Sequence, residues 1–177
     1  MKTQNQTMLS ENTLTSRPTD IIVGFPVRPG FFELNGATPL SNGVNFTTHT
    51  RHGTSCELLL FHSGEEEPFA VLPFPNACRI GDVYSMIVMG LDIEDLEYGY
   101  RIDGPYEPEK GHIFDKTKVL LDPYAKAVAG QREWGQQKIG SYHARVVRDS
   151  FDWEDMPQST RKISDLIIYE LHVRGFT

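Results

Sequence analysis

The chain is poor in the features that usually announce a function. Only two cysteines occur among 177 residues, Cys56 and Cys78. Two thiols make no disulfide framework, and neither sits in a CxxC or His-paired spacing that would hold zinc, so both are read as reduced structural residues. No run of about 18 consecutive apolar residues occurs, so no membrane-spanning helix is expected. Positive charge is scarce: 17 Lys and Arg stand against 24 Asp and Glu, a net charge of −7. Without a basic stripe, a sequence-independent nucleic-acid binder is excluded, because neutralising phosphates takes a cationic face. The first 20 residues are rich in Thr, Ser, Asn and Gln and lack an apolar stretch. They read as a disordered leader rather than a signal peptide, which points to a cytoplasmic protein. In that setting the sequons at Asn5 and Asn45 are read as chance matches.

Catalytic signatures are missing too. There is no G-x-S-x-G, no P-loop and no dinucleotide fingerprint. Glu65, Glu66 and Glu67 read as a solvated turn. Asp92, Glu94, Asp95 and Glu97 fall between two strands; a loop surface is the plain reading, and the spacing of a calcium loop is absent. The six histidines, His49, His52, His62, His112, His143 and His172, lack the spacing of a metal-binding helix and read as surface or turn residues. No catalytic residue, metal ligand or cofactor site is nominated.

What the chain has is strands. "GVNFTTHT" (43–50) places Val44, Phe46 and Thr48 on one face. "CELLLF" (56–61) is a short apolar run suited to a central strand, and "FAVLP" (69–73) is a short one that Pro73 ends, near an edge. "DVYSMIVM" (82–89) is β-branched and aromatic. "EYGYRID" (97–103) alternates, with Tyr98, Tyr100 and Ile102 inward and Glu97, Arg101 and Asp103 outward. "YHARVVR" (142–148) is a further strand. The intervening "GFPVRPGFFELNGATPLSNG" (24–43) reads as loop and turns. One helical hint remains, "LDPYAKAVAG" (121–130), with Asp122 as cap, Pro123 as first residue and Gly130 as stop. Short strands separated by turn signals predict an all-β, immunoglobulin-like antiparallel β-sandwich. The expected order is leader (1–20), sandwich (21–150), then a linker and a last strand (151–177).

That last strand is "IIYELHVRGFT" (167–177). Ile167, Tyr169, Leu171 and Val173 share one face, and Glu170, His172 and Arg174 the other. Nothing after it in the chain can pair with it. Left wet, its apolar face costs roughly a few kcal/mol at about 25 cal/mol per Å², so the segment is expected to fray, fold back or pair with another copy. Aromatics make up 11% of the chain, and a sugar's axial C–H groups stack on an exposed ring. Tyr98 and Tyr100 read as core, and Trp153 as an anchor for the linker. Trp134, in the polar "QREWGQQ", is the one candidate platform for carbohydrate.

The motifs also run in a recognisable order. "YGYRIDGPYEPEKGHIFDKTKVLLDPYAKAV" (98–128) resembles a segment of isoamylase-type and glycogen-debranching enzymes of the alpha-amylase superfamily. "PLSNGVNFTTHT" and "CELLLF" resemble the opening strands of the same amino-terminal domain. "FDWEDMP" and "YELHVRGFT" resemble its linker and the first strand of a (β/α)₈ barrel. The resemblance implies a sandwich of the carbohydrate-binding-module forty-eight type, packed on a catalytic barrel of about 250 residues. Family members are retaining glycosidases whose paired carboxylates lie on later barrel strands, and no position here matches them. The implied role is a non-catalytic domain of a glycogen debranching enzyme, itself without hydrolase activity, whose parent cuts α-1,6 branch linkages of glycogen-like α-glucans. Its partner is then the covalent barrel, with α-glucan as a further contact. The rivals are an autonomous α-glucan-binding module, a regulatory scaffold for another protein, and the amino-terminal domain of a glycogen branching enzyme.

Overall fold

A computed structural model describes residues 17–130, 142–148, 152 and 160–176. Among the described residues thirteen strands follow in chain order: β1 (Asp20–Ile22), β2 (Phe25–Pro29), β3 (Gly36–Pro39), β4 (Gly43–His49), β5 (Ser55–His62), β6 (Ala70–Pro73), β7 (Arg79–Ile80), β8 (Val83–Met89), β9 (Leu96–Asp103), β10 (Tyr106–Glu107), β11 (His112–Ile113), β12 (Ala127–Ala129) and β13 (His143–Arg145). One sheet runs β1-β2-β8-β4-β3, with β7 also on β8; the other runs β12-β13-β9-β5-β6; β10 and β11 form a separate hairpin. Every pairing among these strands is antiparallel. This is the expected β-sandwich.

The period-2 pattern places the core. Val44, Phe46, Met86 and Val88 from one sheet meet Leu58, Leu60, Tyr98 and Tyr100 from the other, all essentially buried. Phe46 and Tyr98 bridge the layers edge to face at 5.1 Å, a favourable arrangement of ring quadrupoles. The inward residues expected of β9 are inward, and β6 is an edge strand as Pro73 implied.

Two expectations fail in the sandwich. The Gly- and Pro-rich stretch 24–43, read as loop, contains β2 and β3. Pro29 and Pro39 stand at strand ends, where a missing N–H costs least, and pairing of Val27 with Val88 and of Ala37 with Phe46 overrides the turn-like composition. The helix expected at 121–130 is absent. Asp122 Oδ1 accepts the Tyr124 N–H at 2.8 Å, and the Asp122 carbonyl accepts the Ala125 N–H at 3.1 Å, closing one turn. An aspartate that bonds two residues ahead favours a turn as readily as a cap. The chain then extends into β12.

The last segment departs further. Residues 166–172 show no strand, Val173–Phe176 is a single helical turn, and every described side chain from 160 to 172 is exposed. Ile167 is 100% and Tyr169 74% exposed, so the segment does not fold back on the sandwich. A strand is defined by its ladder, and alternation alone supplies no partner for the backbone.

Candidate functional site

The outer faces of both sheets are more buried than alternation suggests. In β5, Leu58 and Leu60 face the core, yet Leu59 and Phe61, pointing the other way, are also fully buried. Part of the cover is the segment at 119–120, which crosses β9 at Gly99. Leu120 and Tyr100 exchange backbone hydrogen bonds at 2.7 and 2.9 Å. A Cβ on Gly99 would stand 2.7 Å from Val119 Cγ1, so glycine permits this crossing.

Beneath that outer face lies a polar pair. Glu97 and His143, expected on the surface, are 2% and 4% exposed. His143 Nδ1 is 3.1 Å from Glu97 Oε2, and the imidazole stacks on Phe61 at 3.8 Å between ring centres. Glu97 Oε1 accepts from Ser63 Oγ at 3.2 Å and from the Gly64 N–H at 3.0 Å. Both residues do point away from the inter-sheet core, as alternation required. They are buried because β13 lies beside β9 and places Arg145 opposite Glu97, a long-range pairing that the local pattern does not encode. The legible signal was the unbroken apolar run of β5, which implies cover on both faces.

The pair fixes the turn after β5, and His62, the last residue of β5, lines an open cleft of about 220 Å³ together with Phe25, Phe69, Leu91, Asp92, Asp95 and Leu96. Phe69, 41% exposed, has its ring 6.3 Å from Phe25 and 4.5 Å from His62. His62 Nδ1 lies 2.8 Å from Asp95 Oδ2, and Asp95 Oδ1 accepts the Ser63 N–H at 3.1 Å. The hydrogen bond from His62, joined by that of Ser63, holds the Asp95 carboxyl below its ordinary range. The pair is open to water, so it orients rather than stabilises. Asp92 Oδ1 accepts the Glu94 N–H at 3.2 Å. The Asp92, Asp95 and Glu97 carboxylates thus diverge to separate partners, and among the described residues no group of three or more His, Cys, Asp or Glu is placed to hold a metal ion.

An aromatic wall with carboxylates and an imidazole at its rim offers dispersion to a C–H face and acceptors to hydroxyls. Those residues come from β2, β5, the approach to β6 and the 90–96 loop, so no single motif announced them. Trp134, the platform named from sequence, lies outside the described residues. Cys56 and Cys78 are free and buried, and burial pushes the Cys78 thiol up to about 11, which leaves it unreactive. Among the described residues, no helix is long and apolar enough to cross a membrane.

Residues 35–125 match the family model of carbohydrate-binding module 48, described as the isoamylase N-terminal domain. The chain is 36% identical over 154 residues to isoamylase SU1, chloroplastic, of Zea mays, covering 80% of this chain and 19% of that one. It is 35% identical over 156 residues to the glycogen debranching enzyme of Salmonella typhi, covering 81% of this chain and 23% of that one. The chain therefore spans about a fifth of the length of the curated relatives it matches. Among solved structures, a type I pullulanase from Bacillus subtilis complexed with maltose aligns with a TM-score of 0.48 at 19% identity, over 72% of this chain and 15% of that one.

Proposed function

The chain belongs to the carbohydrate-binding module 48 family, the isoamylase N-terminal domain, and on that premise we propose that it is the non-catalytic amino-terminal domain of a glycogen debranching enzyme. The parent would hydrolyse α-1,6 linkages in glycogen-like α-glucans. The observation that carries this reading is the collinear match of 154 residues to an isoamylase. The sandwich is assigned to 21–150 and the linker with the first barrel strand to 151–177. The role of the sandwich is to support a catalytic barrel, the covalent partner, and to shape the wall of its cleft. Two buried, free thiols support a cytoplasmic setting.

The test compares reducing-end release from glycogen by the 177-residue chain and by a chain extended through the length of its relatives. The extended chain debranches and the short one does not. Sugar release by the short chain would overturn the assignment.

A second reading, direct contact with α-glucan, is favoured by the cleft at Phe25 and Phe69 and by Trp134. Electrophoresis through gels containing glycogen reads it out: retardation lost in Phe69→Ala assigns contact to the cleft, and retardation lost in Trp134→Ala assigns it to the polar loop. Unchanged mobility of the native chain at high glycogen removes the binding module and leaves the supporting role.

A further inference from the structure

The turn between β4 and β5 and the β10–β11 hairpin meet through two histidines. The rings of His52 and His112 lie 4.5 Å apart between centres, at 62° to one another. His52 is exposed and His112 half-buried. Among the described residues neither imidazole makes a hydrogen bond or ion pair, so four ring nitrogens have no partner there. His52 also has a backbone φ of +68°, in the left-handed region that side-chain-bearing residues enter at a cost. Strain held at an exposed residue invites a functional account. The conformation directs this ring toward the hairpin.

Imidazole nitrogen suits borderline divalent ions such as Zn²⁺, Ni²⁺ and Cu²⁺. Two imidazoles bound to one ion at about 2.0–2.1 Å hold their ring centres roughly 4.5 Å apart at a right angle and about 5.2 Å apart at the tetrahedral angle. The observed separation already meets that requirement, and the exposed His52 ring has room to turn its nitrogen toward a shared ion. We propose that His52 and His112 form a two-imidazole site for a divalent transition ion, with water completing the coordination. The bound ion ties the hairpin to the β4–β5 turn. The hairpin is short and open: β10 and β11 are two residues each, and Tyr106 and Ile113, paired across it, are 71% and 69% exposed, while Phe114 just beyond β11 packs against the core.

The test uses the tag-free chain, freed of metal with a chelator and titrated calorimetrically with ZnCl₂ and with NiCl₂, alongside amide spectra. One ion binds per chain, and the resonance changes are confined to residues 50–54 and 107–114. His112→Asn and His52→Gly each weaken binding at least tenfold. Glycine adopts positive φ readily, so His52→Gly keeps or improves the fold while removing the ligand. His49→Asn, an exposed histidine on β4 outside the pair, leaves binding intact. Absence of binding, native affinity in either pair variant, or changes centred on His62 or His172 would overturn the proposal.

Discussion

The sandwich and the segment at 160–176 are both built from strand-like sequence, and they fare differently. In β9, Tyr98, Tyr100 and Ile102 alternate and are buried. In the segment at 160–176, Ile167, Tyr169 and Leu171 alternate just as cleanly and are exposed. β9 pairs with β5 along eight residues, from Ser55–Asp103 to His62–Leu96, and with β13 on its other side. Among the described residues the distal segment pairs with no strand. A strand is therefore a relation between segments: apolar alternation states which face is to be buried, and only a partner buries it.

The contrast can be broken most forcefully in the core. Phe46→Ala should cost about 3–5 kcal/mol, read as a lowered urea midpoint, because the ring is fully buried against Tyr98. The matching change in the distal segment, Tyr169→Ala, should move the midpoint by less than about 0.5 kcal/mol. Equal effects would show that the distal segment is packed in solution.

Glu97→Ala sharpens the comparison at the outer face. It strips the acceptor from Ser63, Gly64 and His143 at once, and stranding the buried His143 costs about 1–3 kcal/mol. Glu170→Ala, at an exposed position, should leave the midpoint where it is. A Glu97 variant as stable as the native chain would mean that water reaches those donors.

Acid separates the regions by sign. Burial raises the Asp122 carboxyl above its ordinary 3.8, against the bonds from Tyr124 and Tyr98 that lower it. A raised folded pKa means that the folded state holds its proton longer than the unfolded chain. The contribution is present below about 3.8 and is lost as pH rises through the raised value. Asp95 and Asp115 are shifted down by hydrogen bonds, so their contributions are present at neutral pH and are lost on acidification. Asp122→Asn should then lose stability more steeply than the native chain as pH falls toward the ordinary carboxylate value of 3.8, followed by urea midpoints. A parallel profile would show that Asp122 is hydrated.

The smallest effect is expected from deletion. Removing residues 160–177 should leave the thermal midpoint within about 2 °C, since side chains that bury nothing contribute little. Light scattering on the same pair of chains reads association: a smaller species after deletion would show that copies meet through this segment.

Much of the sandwich was legible in the pattern of residues along the chain. β4, β5, β6, β8, β9 and β13 fall where alternation and turn residues placed them, and their core faces are as expected. β2 and β3 were hidden because each is short, holds proline and lies in a stretch crowded with Gly, Pro and Asn, and the pairing of β2 with β8 is non-local. The cleft was illegible for the same reason. Phe25, His62, Phe69 and Asp95 are far apart in the chain, and each alone looks like an ordinary surface residue. The Glu97–His143 pair was misjudged because a polar residue on an outward face is exposed only if nothing lies over that face.

By itself the sequence determined the periodicity, and with it which faces of which strands seek burial and, through the order of its motifs, the family. Periodicity is a local property, set by the two-residue repeat of an extended backbone. Which strands lie side by side, which outer faces are roofed, which histidines touch and which strand-like segment goes unpaired were decided only in three dimensions. Those outcomes depend on contacts between residues tens of positions apart, where partners compete and the winner is the arrangement that satisfies the most backbone and buries the most apolar surface.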